Sequence, residues 1–149
     1  MRVYLVIMDE TDEARVALRF AARRAARTGG LIHLLALLPK QEFSPFGGVQ
    51  ATIEAEARAR AEAMVTAAAG SLASESGRPP VIAVKEGDGV TVVRDYLAEH
   101  PEVSALVLGA ESNGPGPLVS HFAGISGQLP CPLYIVPGGL DEAAIADLS

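Results

Sequence analysis

Five short apolar runs punctuate the chain, and the connections between them are too long to be hairpins. The runs are Val3 to Met8 (VYLVIM), Leu31 to Leu38 (LIHLLALL), Val81 to Lys85 (VIAVK), Ser104 to Leu108 (SALVL) and Leu133 to Val136 (LYIV). Successive runs are separated by about 20 to 40 residues, enough for the helical crossover that joins parallel strands and far more than an antiparallel turn needs. The order β-α-β-α-β-α-β-α-β predicts an α/β domain: an open parallel sheet with helices on both faces. VYLVIM has no polar alternation, which marks a central strand covered on both sides.

Composition agrees with that architecture. Hydrophobic residues make up 49% and aromatics only 5%, with no Trp, so the core must be built from Ala, Val, Leu and Ile. At 149 residues the chain is read as a single domain, 1–149, whose tail, 138–149, forms a short acidic helix from Asp141. No apolar run approaches the roughly 20 residues needed to span a bilayer. Met1-Arg2-Val3 enters a strand directly with no small-residue cleavage site, so the expected location is cytoplasmic. The lone cysteine, Cys131, lies between Pro130 and Pro132 and is read as a packed small hydrophobe.

Charge narrows the partners. The net charge of −6 argues against nucleic acid, whose phosphates need a basic surface, and nothing points to a membrane. All 12 Lys and Arg residues lie at or before Arg94, whereas Asp95 to Ser149 holds seven acids and no Lys or Arg. An anion bound in the last third must therefore rely on backbone N–H groups, hydroxyls, His121, a metal ion or cations from elsewhere in the fold.

The first helix has Thr11 as its predicted N-cap, Asp12 and Glu13 in its first turn, and Gly29-Gly30 as its stop. Ala14, Ala17, Leu18, Ala21, Ala22 and Ala25 form one apolar stripe, which lets the helix lie close to the sheet. Arg15, Arg19, Arg23 and Arg27 form a row at fourfold spacing, read as a solvated face in preference to a dock for an acidic partner. The loop Pro39 to Val49 carries Phe43 and Phe46; the stretch Phe43 to Gly48 either covers a pocket, touches a partner or packs on its own domain. A long surface helix follows from about Gln50 to Ser76, with Glu54–Arg58 and Glu56–Arg60 spaced for i,i+4 pairs. A third helix, Val90 to His100, buries Val92, Val93, Tyr96 and Leu97.

In an open parallel sheet, ligands bind beyond the carboxyl ends of the strands. That makes the loop leaving the fourth strand, Gly109 to Ser120, the place for a site. Catalytic machinery is missing from the pattern: His33, His100 and His121 sit in different elements, with no nucleophile relay or metal cluster beside them. His33 is read as a satisfied core or strand-end histidine.

The assembled residues resemble the universal stress protein family. The resemblance rests on the opening strand ending in Asp9, the Arg- and Ala-rich first helix, Glu86-Gly87-Asp88, LVLG at Leu106 to Gly109, and above all LPCPLYIVPG at Leu129 to Gly138. It implies a five-stranded sheet of order 3-2-1-4-5, of the adenine nucleotide alpha hydrolase-like kind, and a homodimer through the strand Leu133 to Val136. It implies one of two functions. One is a dimeric stress-response or regulatory protein without catalysis, acting through a protein partner. The other is an ATP-binding switch with at most slow hydrolysis, its cofactor ATP with Mg²⁺. In the nucleotide-binding branch the family pattern would place Asp9 and Leu37 at the adenosine end, and Gly109, Gly114, Gly116 and Ser120 around the phosphates. Here the pattern is altered: the interval from Gly109 to Ser120 is about three residues short, Val119 replaces the glycine before the hydroxyl, and Pro115 and Pro117 carry no N–H.

Overall fold

Every residue of the first strand, β1 (Val3–Met8), is buried, as its unbroken apolar run requires. The computed structural model describes residues 1–39 and 47–149. β1 is followed by α1 (Asp12–Thr28), β2 (Leu31–Leu38), α2 (Gly47–Ser76), β3 (Val81–Glu86), α3 (Gly89–Glu99), β4 (Ala105–Ala110), α4 (Pro117–Gly124), β5 (Leu133–Pro137) and α5 (Glu142–Leu148), with a 3-10 turn at Ser126–Gln128 before β5. The sheet is β3-β2-β1-β4-β5, and all four pairings are parallel. This is the order that the family resemblance implies.

Alternation along β1 divides the core in two. Tyr4, Val6 and Met8 point to one face, where Ala17, Ala21 and Ala25 of α1 and Val65 and Leu72 of α2 cover them. Leu5 and Ile7 point to the other, under Val93, Tyr96 and Leu97 of α3 and Val119 and Phe122 of α4. Cys131 packs against this second core, and burial pushes its thiol up despite a hydrogen bond with the Leu106 backbone, so little thiolate forms near neutral pH.

The ends of α1 are those expected. The Thr11 hydroxyl accepts from Ala14 N–H at 3.3 Å, and Gly29, at φ 66°, donates to Ala25 O. α2 begins at Gly47, about three residues before the expected start, and runs unbroken through Gly70. Its expected ion-pair pattern is partly replaced: Arg58 lies 3.9 Å from Glu62, and Arg60 reaches 3.7 Å to Glu10 beyond β1. The stretch Phe43 to Gly48 falls largely in residues 40–46, outside the described residues.

The arginine row is exposed, as its spacing predicts, and it also makes a contact that the spacing does not show. Three of its members also reach the chain's own tail helix: Arg19 Nε and Arg23 Nη2 approach Glu142 at 3.0 and 3.7 Å, and Arg27 Nη2 donates to Ala146 O at 2.8 Å. The tail is a helix from its Asp141 cap, which accepts from Ala144 N–H at 2.9 Å. Exposed ion pairs contribute little each, so the anchor is Ile145, which has no exposed surface. Among the described residues no helix is long and apolar enough to cross a membrane.

Candidate functional site

The chain reverses direction across the sheet between β1 and β4, and the carboxyl ends of these two strands frame a recess. On the β1 side, Asp9 is engaged in its own turn. Its Oδ1 accepts from Thr11 N–H at 2.9 Å and from the Thr11 hydroxyl, which in turn caps α1. On the β4 side, Gly109 lies against the first turn of α1: a Cβ there would stand 2.1 Å from Glu13 O. This glycine is required by helix-to-strand packing before any ligand is considered.

The loop beyond β4 is closed on itself by a bridge between Glu111 and Gly114, then passes through Gly116 at φ 84°, a left-handed conformation that favours glycine. Pro117 occupies the first turn of α4, where its missing N–H costs nothing. Ser120 N–H is already taken by Gly116 O at 3.0 Å. The amides of Leu118 and Val119 remain as first-turn donors.

The recess itself measures 90 Å³. Asp9, Glu13, Gly109, Pro115 and Gly116 are on its walls; among the described residues the lining includes two carboxylates and no Lys, Arg or His. Of the six residues expected at a nucleotide site, the structure gathers Asp9, Gly109 and Gly116 here. Leu37 lies one strand away, beside Gly89, where an added Cβ would come within 3.3 Å of the Leu37 and Leu118 side chains. Gly114 and the exposed Ser120 stand outside the lining. Glu13, read from sequence only as a dipole partner, proves to be a wall of the recess and the residue against which both Gly109 and Gly138 pack. A second recess of 240 Å³ on the same edge lies between β2, α2 and β3, with Arg58 and Glu86 on its walls. Among the described residues no three His, Cys, Asp or Glu side chains converge on a metal position.

The sequence profile of the universal stress protein family matches residues 1–137. The chain belongs to the universal stress protein family. Solved members share its fold: UspA from Lactobacillus plantarum, 20% identical, superposes with a TM-score of 0.77 over 91% of this chain and 97% of that one. A family member from Arabidopsis thaliana with AMP bound is 16% identical, with a TM-score of 0.62 over 92% of each chain. A universal stress protein in complex with cAMP, also 16% identical, has a TM-score of 0.54 over 91% of this chain and 96% of that one. A search of curated protein sequences finds no match.

Two histidines that sequence placed in separate elements of this family member meet in the second core. His33 Nδ1 is 2.8 Å from Tyr96 Oη, and the Tyr96 ring stacks on His100 with centroids 3.8 Å apart. Burial holds His33 below the usual imidazole range; Glu102 pulls the other way, and His100 lowers it further. Burial, then Glu102, pushes the Tyr96 phenol up, so it keeps its proton and shares a hydrogen bond with His33. Below about pH 6.5 the unfolded chain therefore takes up a proton that folded His33 refuses, and stability falls with falling pH. The expected result is a lower urea midpoint at about pH 5 than at about pH 7.5, with the slope flattened by His33→Gln. An unchanged slope in that variant would assign the pH dependence elsewhere.

Proposed function

We propose that this universal stress protein works as a dimeric stress-response regulator without catalysis of its own, acting through protein surfaces and not through bound ATP. The observation that supports the reading is the recess at the β1/β4 switch point: 90 Å³, walled by Asp9 and Glu13, with no cationic side chain among the described residues of its lining. Small-molecule sites usually enclose about 300–1,000 Å³. A triphosphate placed here would meet two carboxylates, with Pro115 and Pro117 withholding the donors that a phosphate loop supplies. The described residues of this recess do not fit ATP with Mg²⁺.

Dimerisation would use β5, an open edge of the sheet on which Ile135 is 43% exposed. Sedimentation is expected to give a dimer, and Ile135→Lys a monomer that still folds. A wild-type monomer at high concentration contradicts the proposal.

A second reading, the nucleotide-binding switch, is favoured by the relatives that carry AMP and cAMP. Calorimetric titration with ATP, with and without Mg²⁺, separates the two. A ligand at a hundred times its Kd stabilises its protein by about 2.7 kcal/mol, so binding would also appear as a rise in Tm. The regulator reading expects neither heat nor shift at millimolar ATP.

A further inference from the structure

A cavity of 470 Å³ opens at the other end of the sheet from the switch point, between α1, the end of α2 and the start of β2. Its apolar floor comes from Ala22, Ala25, Leu31, Ile32 and Leu72. Its rim is charged, with Arg19, Arg23 and Arg78 set against Glu75 and Glu142. Arg78 is fixed across the opening by the carbonyls of Gly29 and Gly30, at 3.2 and 3.5 Å.

The rim already holds a carboxylate. Glu142 presents Oε1 to Arg19 Nε at 3.0 Å and Oε2 to Arg23 Nη2 at 3.7 Å, on the edge of the apolar floor. We propose that this cavity is a binding site for a small monocarboxylate with an apolar body, whose head group takes the place of Glu142 on Arg19 and Arg23.

Three features select that ligand class. The volume falls in the range of small-molecule sites. The Arg19 and Arg23 side chains are about half exposed, so the internal ion pair is weak and open to exchange, while the apolar body gains by leaving water. Arg19 and Arg23 share the single carboxylate of Glu142, which leaves room for one negative charge; a phosphate dianion or a nucleotide would face Glu75 and Glu142 with too much charge. Exchange does not require the tail helix to leave, because Ile145 keeps α5 seated. The site is independent of the switch-point recess.

Octanoate is the probe, titrated by calorimetry and by the methyl resonances of Ala22 and Ala25, with inorganic phosphate as the comparison. Saturable binding of octanoate is expected. Glu142→Gln, which removes the competing charge, should tighten it by about threefold. Arg23→Gln should weaken it by about tenfold, as loss of a charge-assisted hydrogen bond does. Ala26→Leu, at an exposed position on the lining, should block the floor without disturbing the fold. The proposal is overturned if octanoate fails to saturate, if Arg23→Gln or Glu142→Gln leaves its affinity unchanged, or if phosphate binds as tightly.

Discussion

Gly109→Ala is expected to destabilise the protein by about 3 kcal/mol or more, because its new methyl would stand 2.1 Å from Glu13 O and 2.5 Å from the Glu13 carbonyl carbon. These are backbone atoms in the first turn of a capped helix, and no side-chain rotation relieves the overlap. For a domain of this size the loss corresponds to a Tm lower by roughly 6–12 °C. Gly70→Ala gives the opposite sign. That glycine lies within α2 with nothing within 4 Å of the added carbon, so alanine should stabilise by about 0.5–1 kcal/mol. Thermal melts of the two variants, run without any ligand, check the pair. Equal and small effects would mean that α1 and β4 are not in close contact.

Phe122→Ala should cost about 3–5 kcal/mol, the usual result of emptying a fully buried aromatic site. Phe122 and Val119 are the buried residues of the eight-residue helix α4, so the truncation also frees the helix that closes one side of the recess. Amide exchange at Leu118 and Val119 should accelerate along with the loss of stability. Ser120→Ala on the exposed side of the same helix should stay within about 0.5 kcal/mol of wild type. Urea denaturation of both variants tests the contrast, and a Phe122→Ala protein as stable as wild type would contradict the packing of α4.

The strands were legible because each is a run of apolar residues whose length and spacing admit few alternatives; β1 and β2 have the expected bounds. The caps at Thr11 and Gly29 were legible because they depend on local backbone chemistry. What one element does to another was not. The Arg19, Arg23 and Arg27 row has the spacing of a solvated face, and only the return of the chain after β5 shows that α5 lies on it. Gly109 looked like a phosphate-loop glycine because such a loop starts there, yet the same residue is demanded by the close approach of Glu13. The contact of His33 with Tyr96 joins residues 63 positions apart, beyond any local period. At the candidate site, residue types and spacing pointed to the carboxyl end of the sheet but carried no information on the width of the recess.

The proposed regulator role rests on the narrow, acidic recess between β1 and β4. The most direct measurement is an amide NMR titration with Mg²⁺-ATP that follows Gly109, Gly116, Leu118 and Val119. These four resonances are expected not to move in a saturable way at millimolar nucleotide. Saturable shifts confined to them, with a matching rise in Tm, would contradict it and place a nucleotide at the switch point.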